Sequence, residues 1–81
     1  MFYVYILRCS DNSLYCGVTT DLRRRVKEHN SKTSKSAKYT RARQPVTLVY
    51  SEKFSSINEA LKREAEVKTW TKIKKENLIK Q

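Results

Sequence analysis

Residues 2–18, Phe2-Tyr3-Val4-Tyr5-Ile6-Leu7-Arg8-Cys9-Ser10-Asp11-Asn12-Ser13-Leu14-Tyr15-Cys16-Gly17-Val18, decide the fold. The first nine residues of the chain are rich in Tyr, Val and Ile and read as a strand. Ser10-Asp11-Asn12-Ser13 is a turn cluster, and Asn tolerates the left-handed backbone that such turns need. Leu14 to Val18 returns as a second strand, giving an N-terminal hairpin. Tyr5 and Tyr15 share a face only if the paired residue numbers sum to an even number, as with a three-residue Asp11-Asn12-Ser13 loop. A two-residue Asp11-Asn12 turn puts them on opposite faces.

Downstream, Thr19-Thr20-Asp21 supplies N-cap candidates for a helix running to His29 or Asn30. Residues 30–44 lack apolar periodicity and carry Lys32, Lys35, Lys38, Arg41 and Arg43 without one acid, so they read as a long basic loop. Pro45 opens a third strand, Val46 to Phe54. Ser56-Ile57-Asn58-Glu59 has the form of a capping box and starts a second helix. Trp70-Thr71 marks a break, with Thr71 capping a third helix to Ile79. The order is ββαβαα, an α+β domain with a small three-stranded antiparallel sheet and flanking helices.

The 81 residues allow a single domain, 1–81, with a thin core. A 38% hydrophobic content still supports a fold despite 32% charged residues. No apolar run is long enough to span a membrane. The N-terminal run MFYVYILRC has neither a leading basic region nor a cleavage pattern, so no signal peptide is expected. Cys9 and Cys16 are too few for a disulfide scaffold and lack metal-ligand spacing. An intracellular, cytoplasmic setting follows as the expectation. A net charge of +10 points to a polyanion, most simply nucleic acid.

The informative residues are polar ones on apolar faces. The second helix carries an inward stripe of Ile57, Ala60, Leu61, Glu64 and Val67, while Glu66 lies on the solvent side. An inward carboxylate must be paired, protonated or metal-bound, so Glu64 is either a salt-bridge partner or a functional acid. In the first helix, Leu22, Val26 and His29 define the inward stripe, and Arg25 lies within about 100° of all three. Arg25 and His29 are i, i+4 neighbours able to act on one ligand. His29, the only histidine, reads equally as a capping or core residue. Gly17, the only glycine, sits inside a strand, where glycine marks a bend or a close approach by a ligand or neighbouring helix.

Phosphodiester hydrolysis needs a cation offsetting charge on the pentavalent phosphate, a guanidinium on its nonbridging oxygens and a group to deprotonate water. A single carboxylate suggests one metal ion rather than two.

Tyr3-Val4-Tyr5 and Tyr15-Cys16-Gly17, followed by Arg25, His29 and the segment Ala60-Leu61-Lys62-Arg63-Glu64, resemble the pattern of the GIY-YIG nuclease superfamily. The likeness covers nearly the whole chain. It is closest to small stand-alone members, through Ala37-Lys38-Tyr39-Thr40-Arg41 and the run on to Tyr50. Among larger members it resembles the branch that cuts branched DNA. The resemblance implies that Tyr5, Tyr15 and His29 orient or deprotonate the attacking water. It implies that Arg25 stabilises the phosphate, that Glu64 binds one Mg²⁺ or Mn²⁺, and that Gly17 lets strand, helix and substrate approach. Tyr3 stands where the family has Gly, and Cys16 where it has Ile.

The leading expectation is therefore a metal-dependent endonuclease for DNA, branched or damaged duplex, selective for structure and acting in repair or recombination. RNA stays open as a substrate, since nothing in the sequence tests a 2′-hydroxyl. No sequence-reading module accompanies the unit, so specificity comes from DNA shape or from a protein partner. Lys32, Lys35, Lys38, Arg41 and Arg43 are the expected phosphate contacts, with Tyr39 for base stacking. The alternatives are a nucleic-acid-binding module with the nuclease fold but little turnover, and a basic adaptor for an acidic protein.

Overall fold

β1 (Phe2–Arg8) is the middle strand of an antiparallel sheet, with β2 (Leu14–Thr19) on one side and β3 (Thr47–Phe54) on the other. The helices are α1 (Leu22–His29), α2 (Lys38–Arg41), α3 (Ile57–Lys68) and α4 (Lys72–Ile79). This computed structural model describes residues 1–31 and 37–81. The architecture is the α+β arrangement that the sequence patterns predict.

Alternation along the strands sorts the core into two clusters. Val4, Ile6 and Cys16 face one way and pack with Ala60 and Val67 of α3 and Leu78 of α4. Tyr5 and Leu7 face the other way and pack with Cys9 and Val46, flanked by Tyr15 and by Leu22 and Val26 of α1. Central placement explains why Val4-Tyr5-Ile6-Leu7 is buried on both faces. Both cysteines are buried and free.

The hairpin pairs Tyr5 with Gly17 and Leu7 with Tyr15, so both tyrosines share a face as the even register requires. The loop itself is Ser10-Asp11-Asn12, one residue earlier than expected. The Cys9 N–H donates to the Ser13 carbonyl at 2.8 Å, and the Asn12 N–H to the Cys9 carbonyl at 2.9 Å. Asn12 takes the left-handed conformation, φ 70°, that closes a three-residue hairpin. A bulge in the β1–β3 pairing, between Ile6 and Leu7, turns both Val49 and Tyr50 toward the α3–α4 cluster.

Two boundaries and one buried face differ from the sequence reading. The basic stretch 30–44 is not loop throughout, because Lys38–Arg41 forms one helical turn. Its N-cap, Ala37, makes no side-chain cap, and tertiary bonds hold the turn instead, which periodicity cannot reveal. The third strand begins at Thr47 rather than at Val46, whose N–H goes to the Asn30 side chain. Ile57 and Leu61 are 40% and 47% exposed, so the inward line of α3 narrows to Ala60, Glu64 and Val67 over a narrow sheet.

The caps fall where expected. Asp21 accepts from the Arg24 N–H, Ser56 from Asn58 and Glu59, and Thr71 from Lys74. Arg8 grips Glu76 with two bonds of 2.8 and 2.6 Å, tying β1 to α4. Arg63 makes two bonds to Glu52, of 2.9 and 3.0 Å, and lies over the Trp70 ring, which Lys74 also approaches at 4.3 Å. Among the described residues no helix is long and apolar enough to cross a membrane.

Candidate active site

β1, β2 and α1 converge on a buried polar chain. The Tyr5 hydroxyl meets His29 Nε2 at 2.9 Å, and His29 Nδ1 meets Thr40 Oγ1 at 2.7 Å. Thr40 in turn donates to the Ala37 carbonyl at 3.2 Å. His29 and Thr40 are wholly inaccessible to solvent and Tyr5 is 2% exposed. The chain therefore has to satisfy its own protons.

Those protons can be placed. The Thr40 hydroxyl reaches both the Ala37 carbonyl and Nδ1; with its proton on the carbonyl its oxygen accepts, and Nδ1 then carries the donated hydrogen. At the other end Tyr5 Oη stands 2.9 Å from Nε2 with the Arg25 charge acting on it, and a guanidinium has no acceptor to offer that hydroxyl. The Tyr5 proton is then left to donate to a bare Nε2. Both ends give the same tautomer, a neutral imidazole with its lone pair toward Tyr5.

Electrostatics agree with that assignment. Burial pushes His29 down to about 4, and the Arg25 charge adds to the effect. Burial pushes Tyr5 up to about 12, while the Arg25 hydrogen bond and charge work against the rise. Arg25 loses some solvation itself, but bonds to Glu28 and Tyr5 hold its pKa above the ordinary value. Its Nη1 sits 2.9 Å from Glu28 Oε1.

Tyr15 packs beside this group, with ring centroids 5.1 Å from His29 and 6.5 Å from Tyr5. Gly17 faces Tyr5 across the ladder. A Cβ on Gly17 would lie 2.5 Å from the Tyr5 hydroxyl oxygen and 2.6 Å from Cζ. The glycine is required by the Tyr5 ring, and neither a bend nor a neighbouring helix accounts for it.

Tyr5, Tyr15, Arg25 and His29 thus come together, with Gly17 as their floor. Glu64 is placed apart from them. It lies on the inward line of α3 against the opposite sheet face, where its charge helps burial raise the Cys16 thiol to about 11. Its carboxylate is paired with Lys68 at 3.3 Å. Among the described residues no group of three or more His, Cys, Asp or Glu is arranged to hold a metal.

The expected nucleic-acid contacts divide. Lys38 and Arg41 are exposed on α2. Arg43 bonds Asp11 at 3.1 Å and covers the Tyr39 ring at 4.0 Å. Tyr39 stacks on Tyr15 with centroids 5.9 Å apart, so its ring closes the side of the site. Lys32 and Lys35 lie outside the described residues.

Three residues of the site escaped the sequence reading. Thr40 completes the polar chain. Asn30 clamps Val46 with reciprocal bonds of 3.0 and 2.7 Å, and Gln44 donates to the carbonyls of His29 and Ser31. Together they fasten the end of α1 to the segment before β3. The one signal for Thr40 was its place in the Ala37–Tyr50 segment shared with small stand-alone members.

The chain is similar to known proteins over nearly its whole length. Residues 1–77 match the family described as the GIY-YIG catalytic domain. The chain is 51% identical over 79 residues to a UPF0213 protein of Staphylococcus haemolyticus, covering 98% of this chain and 94% of that one. It is 53% identical over 79 residues to a UPF0213 protein of Haloquadratum walsbyi, covering 98% and 86%. Among solved structures it is similar to the solution NMR structure of a UPF0213 protein from Bacillus halodurans. That match has a TM-score of 0.62 and 49% identity, and covers 99% of this chain and 84% of the other.

Proposed function

The chain belongs to the GIY-YIG catalytic-domain family, and on that premise we propose that it is an endonuclease hydrolysing DNA phosphodiester bonds. The observation that carries this reading is the buried Tyr5–His29 bond, with the positive charge of Arg25 acting on the same hydroxyl. A neutral Nε2 lone pair takes the Tyr5 proton as Tyr5 Oη takes one from a water held beside Tyr15. The resulting hydroxide attacks phosphorus in line, the P–O bond to the leaving sugar oxygen breaks, and that oxygen departs with the bonding pair. Arg25 lies against the nonbridging oxygens and meets the charge that grows on them.

The family's metal chemistry falls to Glu64. Glu64 would hold one Mg²⁺ or Mn²⁺ through its single carboxylate. Lys68 is paired with that carboxylate and competes with a metal ion for it. When bound, the ion offsets phosphate charge. β2 is an edge strand, and a substrate that uses both Arg25 and Glu64 has to span the two faces of the sheet. We read the enzyme as selective for branched or damaged duplex in repair or recombination, with DNA shape as the recognised feature.

The separation of Glu64 from the Tyr5–His29 group favours a second reading, a binding module with little turnover. Incubation of branched and supercoiled DNA with Mg²⁺ or Mn²⁺, wild type against Tyr5→Phe, decides. Cleavage lost in the variant supports the enzyme. Tight binding with no cleavage by either protein supports the module.

A further inference from the structure

We propose that Thr40 is the positioning residue of the site, fixing His29 in the Nδ1–H tautomer so that Nε2 faces Tyr5. Thr40 never touches substrate, since its side chain is sealed from solvent and both bonds of its hydroxyl are internal. It acts through the proton count. With its hydrogen on the Ala37 carbonyl, 3.2 Å away, the hydroxyl offers His29 only a lone pair, and only the Nδ1–H tautomer can use it.

The geometry also explains why a lone helical turn sits in an otherwise aperiodic basic segment. α2 has no side-chain cap of its own. Its single buried residue is Thr40, which the turn presents to the last residue of α1. Without a hydroxyl there, a buried imidazole can carry its hydrogen on either nitrogen. With the hydrogen on Nε2, His29 would donate to Tyr5 and could accept no proton from it.

The chain has one histidine, so nitrogen-15 NMR of the labelled full-length protein reads His29 without ambiguity. Wild type is expected to show a protonated Nδ1 and a bare Nε2 at neutral pH. The opposite pattern in wild type overturns the proposal with no variant needed. Thr40→Val, which keeps the shape and loses the hydroxyl, should mix or invert the tautomers, and Thr40→Ser should restore the wild-type pattern. An unchanged spectrum in a folded Thr40→Val protein also overturns it.

Only the kinetic arm rests on the nuclease reading. There kcat should fall about 10–100-fold in Thr40→Val with KM held, the range expected when the orienting partner of a functional histidine is removed. A wild type that cuts nothing removes the nuclease reading and leaves the spectra to decide on Thr40.

Discussion

Gly17 stands directly opposite Tyr5 in the β1–β2 ladder, and the phenol ring lies across the space that a side chain at 17 would fill. A methyl there cannot coexist with the ring, because the clash includes Cζ as well as the terminal oxygen. Gly17→Ala should therefore cost about 1–3 kcal/mol of stability and drive Tyr5 off His29. Since no glycine here has positive φ, the loss is one of space and not of backbone freedom. Thermal unfolding beside a cleavage assay checks this; an alanine variant with full activity and stability would contradict the close approach.

The neutral His29 makes stability depend on acid in a stated direction. Its pKa is 6.5 in an unfolded chain and about 4 here, lowered first by burial and then by Arg25. Below pH 6.5 the unfolded chain binds a proton that the folded protein refuses. The stabilisation is therefore complete above pH 6.5 and drains away as the pH falls toward 4. The total loss is about 3 kcal/mol. Urea unfolding between pH 7 and 4.5 should show this slope in wild type and a shallower one in His29→Gln. Parallel curves would remove the neutral buried histidine from the account.

Arg25 is held by Glu28 before any phosphate arrives. Arg25→Ala should lower kcat by about 10²–10³, the usual loss when a donor to transition-state charge is removed. Glu28→Gln should instead lower KM, because the guanidinium then exchanges a neutral partner, not a carboxylate, for the scissile phosphate. Steady-state kinetics on one branched substrate separates the two, and a raised KM in Glu28→Gln would count against the exchange.

Metal dependence should map to Glu64. EDTA is expected to stop cleavage and Mg²⁺ or Mn²⁺ to restore it, with Glu64→Ala inactive at either ion. Lys68→Ala frees the carboxylate from its exposed partner and should leave the fold intact, as such pairs contribute only about 0.3–0.5 kcal/mol. The metal concentration for half-maximal rate should fall in that variant. A Glu64→Ala protein as active as wild type would take Glu64 out of the reaction.

The hairpin, the helices α1, α3 and α4 and their caps were legible because each rests on local rules: alternation, a turn with a left-handed Asn, and Asp, Ser and Thr caps. Helical phase alone put Arg25 and His29 on one face. It could not place Thr40, because that residue contributes through one tertiary bond from a turn without periodicity. Phase also overcounted α3, where Ile57 and Leu61 stay largely exposed although they fit the stripe. For Glu64 it gave the correct inward line but not the sheet face, since which side a helix covers is decided by chain crossing. For Gly17 the sequence points to a bend, a ligand or a neighbouring helix, whereas the group that fills the space is the Tyr5 side chain of the paired strand.

The stacking of Arg63 and Lys74 on Trp70 has a practical outcome. The chain's one tryptophan belongs to the α3–α4 cluster, on the sheet face away from Tyr5 and His29. Its fluorescence is thus a built-in optical reporter of the far side of the molecule. DNA confined to the Tyr5 side will leave the emission unchanged, whereas DNA wrapped over the β2 edge toward α4 will draw off Lys74 and alter it. A single titration with a native protein can tell a grazing substrate from an encircling one.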